Sequence, residues 1–183
     1  MKKLALAIAA VASLTASTAF AQGYVGASIG QAHVNLDCQG ASTCKTNGTG
    51  YKLFGGYTFA PNIAGELTYF DWGKAEAADS GISLKLRTTG VGIGVAFIGD
   101  FAPQWSGVAR LGIASNRVKG DATVGALSGS DSESSTNAYF GLGVGYEVSK
   151  GLSVTGALDL SRAKIAGETG NVRLVTVGLT YGF

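Results

Sequence analysis

The sequence predicts an all-β chain, an eight-stranded antiparallel up-and-down transmembrane β-barrel, and three observations carry that expectation. Apolar residues alternate with small or polar ones along most of the chain, and period-two alternation puts the two sets on opposite faces of a strand. The links between the alternating runs are short and long in turn. Hydrophobic residues make up 46% of the chain against 14% charged, with 29 glycines. Past the N-terminus, however, no stretch approaches the about 20 consecutive apolar residues that a membrane helix needs.

The first element is not part of the barrel. In "MKKLALAIAAVASLTASTAFAQG", Lys2 and Lys3 precede an apolar run, and Ala19-Phe20-Ala21 supplies small residues for cleavage. A secretory signal peptide is expected over residues 1–21 and the barrel over 22–183. Two of the 14 Lys and Arg residues lie in the leader, leaving 12 against 12 acidic residues. That balance, with no basic stripe and no interleaved aromatics, excludes nucleic acid as an expected partner.

Strands are expected at Tyr24 to Val34, Gly50 to Phe59, Ile63 to Trp72, Ile82 to Phe97, Trp105 to Asn116, Ala138 to Val148, Leu152 to Ser161 and Val175 to Phe183. The last is the clearest: Val175, Val177, Leu179, Tyr181 and Phe183 alternate with Thr176, Gly178, Thr180 and Gly182. In the fourth, Leu84 and Leu86 are out of phase with Val91 to Phe97, which predicts a bulge or irregularity near Thr88 to Gly90. Short links fall at residues 60–62, 98–104 and 149–151, and long polar ones at 35–49, 73–81, 117–135 and 162–170. Short turns on one side and long loops on the other describe an outer-membrane barrel, with both termini in the periplasm.

The face opposite the aliphatic residues carries Lys52, Glu66, Arg110, Glu147 and Asp159 among glycines. A sandwich core would not accept those charges, whereas a narrow polar lumen would. In hydrocarbon the strands must close on themselves, because an open edge leaves backbone groups unpaired. Tyr51, Tyr57, Phe59, Tyr69, Trp72, Trp105, Tyr146, Tyr181 and Phe183 lie mainly near expected strand ends, where interfacial aromatic girdles form.

Motifs with chemical meaning are few. "GASIG" at residues 26–30 fits the serine-hydrolase pattern G-x-S-x-G around Ser28. The lone histidine, His33, is an odd five residues along the same strand, on the opposite face and about 16 Å away. Ser28 is therefore expected to be a small residue of the barrel wall. "GVGIG" and "GLGVG" lie inside strands and do not fit a nucleotide loop. Lipid A-modifying acyltransferases use eight-stranded barrels with His, Asp and Ser at the outer rim, and His33, Asp79 and Ser80 echo that set. A charged lumen weighs against it. The acidic, serine-rich "SGSDSESS" is expected to be a mobile hydrated loop. Cys38 and Cys44, with five residues between them in the first long link, do not have zinc-site spacing. In an oxidising compartment a disulfide is expected, contributing about 2 kcal/mol.

The stretches "YVGASIG", "GYKLFGGYTFAPNIAGELTYFDWG", "AYFGLGVGYEVSKGLSVTGALDLSR" and "VTVGLTYGF" resemble the OmpA-like transmembrane barrels, in particular the small stand-alone members. The resemblance covers essentially the whole chain after the leader. It implies a C-terminal assembly signal, matched here by Leu179, Tyr181 and Phe183 and read by the barrel-assembly machinery. It also implies a lumen filled by opposed charges, with Glu66 and Arg110 as candidates. Larger relatives carry a periplasmic cell-wall domain after the barrel, which is not expected here. The function expected is a small integral outer-membrane protein with an envelope-structural and surface-interaction role. The alternatives are a narrow channel for ions or small solutes and, behind it, the acyltransferase. The partners expected are outer-membrane lipid and lipopolysaccharide, the assembly machinery and a surface ligand at the long loops. No enzyme activity, metal or cofactor is implied.

Because the Cys38–Cys44 bridge would close only a short surface segment, Cys38→Ser, Cys44→Ser is expected to leave barrel assembly intact. Thiol labelling and heat-modifiable gel mobility check the two halves of this statement. Free thiols after export overturn the first, and loss of the folded band overturns the second.

Overall fold

The computed structural model describes residues 23–34, 43–45, 47–79, 82–124, 127–165 and 168–183. Eight long strands, β1 (Gly23–Val34), β3 (Asn47–Ala60), β4 (Ile63–Asp79), β5 (Ile82–Ala102), β6 (Trp105–Val124), β7 (Leu127–Ser149), β8 (Leu152–Ile165) and β9 (Glu168–Gly182), form the wall. A short β2 (Thr43–Lys45) pairs with the far end of β4. Every pairing is antiparallel, and β1 bonds to β9 while β4 bonds to β5, so the sheet closes without an edge.

One parity governs the wall. In β1, β3 and β9 the even-numbered residues point inward and the odd ones outward, and the outward set includes Val25, Ile29, Leu53, Val175, Val177 and Leu179. The same inversion of a soluble protein, apolar outside and polar inside, continues through Leu67, Ile93, Leu111, Ile113, Leu142 and Val144. Only a hydrocarbon surrounding makes that arrangement favourable. The hairpins β3–β4, β5–β6 and β7–β8 close in tight turns that use left-handed residues at Asn62, Gln104 and Gly151.

Three local expectations need correction. The irregularity expected near Thr88 to Gly90 is present in the β4–β5 ladder, which shifts register between Asp71 opposite Thr89 and Lys74 opposite Arg87, but the extra residue lies on β4, since β5 pairs without interruption with β6 from Ile82 to Asp100. Gly73 absorbs the shift with φ of 81°, a conformation that costs a side chain-bearing residue energy. Asp71 Oδ1 caps the bulge by accepting from the Gly73 N–H at 3.0 Å. Second, much of the expected long loops is strand. The hairpin β6–β7 stays paired as far as Val124 and Leu127, so "SGSDSESS" forms ladder with "NRVKGDAT". Residues 98–102 likewise extend β5. Third, Trp72 belongs to no interfacial girdle, because its even number in β4 turns it inward, where it is fully buried.

Residues 1–22 and Cys38 lie outside the described residues, as does the Cys44 side chain. The expectations of a leader and of a disulfide concern those positions.

The β1–β9 seam ends at Phe183, whose N–H donates to Gly23 O at 2.9 Å. Its ring lies over Gly23, where an added Cβ would come within 2.6 Å. Tyr181 and Phe183 lean together at 6.4 Å between ring centroids. Deleting Phe183 removes both the bond and the cover, so the folded fraction on heat-modifiable gels is expected to fall. Gly23→Val, which displaces the ring and keeps the residue, is expected to do the same more weakly. An unchanged folded yield in both would contradict this account of closure.

A candidate functional site in the filled lumen

The interior is built from rows of inward residues. Its middle is charged. Glu66 on β4 receives Arg110 Nε from β6 at 2.8 and 3.0 Å, the Tyr24 hydroxyl from β1 at 2.9 Å and the Thr68 hydroxyl at 3.1 Å. Lys52 on β3 donates to Asp159 Oδ2 on β8 at 2.5 Å. All four charged residues are nearly inaccessible, from 0% exposed for Asp159 to 5% for Arg110. Charges in such surroundings persist only when paired and hydrogen-bonded.

Phe54 links the pairs. Lys52 Nζ lies 5.3 Å and the Arg110 guanidinium 4.9 Å from its ring centroid, within cation–π range. Tyr24 meets the same ring edge-on at 6.3 Å. The wall makes room with glycine at two close approaches: a Cβ on Gly26 would come within 2.2 Å of the Phe54 ring, and one on Gly56 within 2.3 Å of the Tyr24 ring.

Above this layer, toward the long hairpins, the lumen is packed with apolar side chains. Phe70 and Trp72, two residues apart and so on one face, stack at 4.7 Å, and Tyr139 meets Phe70 edge-on at 5.4 Å. Val172, Leu174, Val118 and Ala114 complete the cluster. Trp72 Nε1 donates to Asn116 Oδ1 at 3.0 Å, and Asn116 Nδ2 donates to Ser161 Oγ at 3.1 Å and to Arg162 O at 2.8 Å. Those bonds satisfy the Trp72 and Asn116 side chains, while the Tyr139 hydroxyl is buried in the plug without a hydrogen-bond partner.

Below it, a cavity of about 260 Å³ runs from Lys52, Phe54 and Arg110 toward the turn residues Asp100 and Gly151. Ser28 Oγ, Arg110 Nη1 and Thr176 Oγ1 are buried without a protein partner, and all three residues line this cavity. One water needs roughly 10–15 Å³ of such space, so the lower lumen has ample room to hydrate them. The lumen is thus a vestibule closed at its inner end by two ion pairs and an aromatic plug.

Of the five charges expected inside, the structure brings Lys52, Glu66, Arg110 and Asp159 together. Glu147 is elsewhere. It has the inward parity of β7 but stands past the last enclosed row, exposed, with Oε1 accepting from the Gly151 N–H at 3.1 Å across the turn. Leu179, Tyr181 and Phe183 face outward. Ser28 is an inward wall residue, and His33 faces outward with Nδ1 2.6 Å from Asn47 Oδ1. Asp79 ends β4 and Ser80 lies outside the described residues, so the acyltransferase set has no shared geometry to assess. Sequence reasoning passed over Tyr24, Phe54, Phe70, Tyr139 and Asn116. Parity could have found most of them, since Tyr24, Phe54 and Phe70 share the even phase of Lys52 and Glu66.

A closed eight-stranded antiparallel barrel with an apolar exterior and a charged, filled interior defines a class, that of outer-membrane barrels. The chain belongs to the outer membrane protein beta-barrel domain family, whose model matches residues 4–183. Among solved structures it is similar to Ail, the attachment invasion locus protein of Yersinia pestis, at 16% identity and TM-score 0.63 over 90% of this chain and 100% of that one. Neisserial surface protein A is similar at 14% identity and TM-score 0.64, over 90% and 100%. OprG from Pseudomonas aeruginosa is similar at 13% identity and TM-score 0.54, over 92% and 98%. At these identities the likeness is one of fold. A comparison with curated protein sequences returns no match.

Lys52→Met leaves Asp159 buried and unpaired, with Oδ1 already lacking a partner, so a loss of roughly 3–5 kcal/mol is expected. Lys52→Met, Asp159→Leu removes both charges and is expected to recover most of it. Denaturant unfolding of the single and double variants, followed by gel mobility or tryptophan emission, measures the difference. A double variant no more stable than the single one would show that the ion pair is not the source of the effect.

Proposed function

We propose that this chain is a small structural protein of the outer membrane that presents its long hairpins as an interaction surface outside the cell. The observation that carries the reading is strand length. β6 and β7 run for 20 and 23 residues, whereas about 9–11 residues cross a bilayer. Roughly half of each strand is surplus to spanning. An extended, hydrogen-bonded hairpin holds side chains in a fixed pattern, as a recognition surface requires, and its outer rows are serine- and charge-rich. The ion pairs and aromatic plug support a scaffold over a wide pore.

The vestibule below the plug favours one second reading, a narrow path for ions or small solutes. Planar-bilayer recording separates the two. Little or no conductance is expected from the native protein, and large porin-like steps would overturn the scaffold reading. For the interaction role, residues 119–132 are replaced by a two-residue turn, which leaves the belt and lumen untouched. Cells carrying the trimmed barrel are expected to assemble it normally and to lose binding to the extracellular surfaces that intact cells adhere to. Equal adhesion by both strains removes the hairpin from the interaction.

A further inference from the structure

The outward face of β4 to β7 changes composition row by row. Leu67, Ile93, Ile113 and Ala138 lie side by side in one row, apolar and exposed. The next row outward is Tyr69, Val91, Ser115 and Thr136, and the one after it Asp71, Thr89, Arg117 and Ser134. Then Lys74, Arg87, Lys119 and Ser132 stand in register across the four strands. The row beyond, Glu76, Lys85, Asp121 and Ser130, sets one cation between two acids, so the basic band has an upper limit. Neighbouring strands are about 4.8 Å apart and alternate residues about 6.8 Å. Four cations on three adjacent strands therefore occupy a patch about 10 Å wide and one row step high, immediately above the lipid-facing belt.

Two of them have protein partners that leave donors to spare. Arg87 Nη2 meets Asp71 Oδ2 at 2.5 Å, and Arg117 Nη2 donates to Ser132 Oγ at 3.0 Å. A guanidinium carries five N–H donors, and both side chains, like those of Lys74 and Lys119, are exposed. Arg117 and Lys119 sit on the same face of one strand, and Lys74, Arg87 and Lys119 follow one another across strands.

We propose that this patch binds the phosphorylated headgroup of the outer-leaflet glycolipid, lipopolysaccharide, with Lys74, Arg87, Arg117 and Lys119 holding phosphate and Ser132 and Ser134 available to sugar hydroxyls. The site rests on the hairpin end of the barrel facing the cell exterior. Position selects a lipid over a soluble polyanion. The cations begin two rows above Ile93 and Ile113, where a lipid whose acyl chains cover that belt would place its headgroup, and they stop before the mixed-charge row. Basic side chains at that depth attract anionic headgroups, and Arg and Lys bind phosphate through charge-assisted hydrogen bonds. The arrangement fixes a lipid against the same strands that carry the long hairpins, so headgroup binding would brace their base.

The test uses the folded barrel in nanodiscs of zwitterionic phosphatidylcholine, with diphosphorylated lipid A as the added lipid. The native protein is expected to bind it and to unfold at a higher temperature in its presence. The triple variant Lys74→Gln, Arg117→Gln, Lys119→Gln, which keeps the Arg87–Asp71 pair, is expected to lose on the order of tenfold to a hundredfold in affinity. Lys150→Gln, at a turn on the opposite end, is expected to bind as the native protein does. Gel mobility in discs without lipid A confirms that each variant is folded, and if the triple variant is not, Lys119→Gln alone is measured and should still weaken binding. Equal affinity in the native and substituted barrels overturns the proposal. So does equal binding of dephosphorylated lipid A, which would assign the interaction to acyl chains. Displacement of lipid A by a soluble sulfated polysaccharide at equal charge would give the patch to a soluble polyanion instead. None of these outcomes depends on adhesion or conductance, so the proposed interaction role stands or falls separately.

Discussion

Closure of the hydrogen-bonded ladder between β1 and β9 is the constraint on which the rest depends. In hydrocarbon an unpaired strand edge leaves a row of N–H and C=O groups without water or partner, so a seven-strand intermediate is not a smaller version of the same protein. The seam runs from Tyr24 opposite Gly182 to Val34 opposite Val172, joining the most distant parts of the sequence. Once it forms, eight strands define a lumen that side chains can fill. Inward residues then have no alternative to packing against one another.

That confinement explains the chemistry inside. Glu66, Arg110, Lys52 and Asp159 come from four different strands and cannot retreat to solvent, so they pair. Tyr24 and Thr68 complete the coordination of Glu66, and Phe54 faces both cations. The aromatic plug above and the open cavity below, lined in part by polar side chains, make the lumen asymmetric. A purely apolar filling would serve closure equally well, so the charged layer is better understood as holding a defined set of strand neighbours than as adding net stability.

The exterior follows the opposite logic, and the depth of each row determines its composition. Aliphatic residues face the acyl chains, Tyr69 and hydroxyl residues mark the boundary, and cations stand above it on β4, β5 and β6. The proposed scaffold, display surface and lipid anchor would then be three consequences of one wall whose strands continue past the membrane they cross.

The sequence by itself determined the eight barrel strands, their antiparallel order, the alternation of outward and inward faces and four of the five charges expected inside, because a two-residue period is local and survives in any strand, as Val175 to Phe183 shows. The same parity, applied to Trp72, would have placed it inside; its position near an expected strand end hid that. Tertiary structure alone decided the rest. The phase change between Leu86 and Val91 marks the place of an irregularity in the ladder near Thr88, yet the extra residue belongs to the partner β4 at Gly73, since register is a property of two strands and not of one. The loops extended into ladder because polar residues such as those of "SGSDSESS" pair readily once a neighbour is held alongside. Glu147 left the charge layer because the turn brings the Gly151 N–H to it before the lumen begins. Lys52 and Asp159 became neighbours only through the closure of the sheet, whereas Lys74, Arg87 and Lys119 are set side by side by the register of the β4–β5 and β5–β6 pairings, which relates residues that no local pattern does.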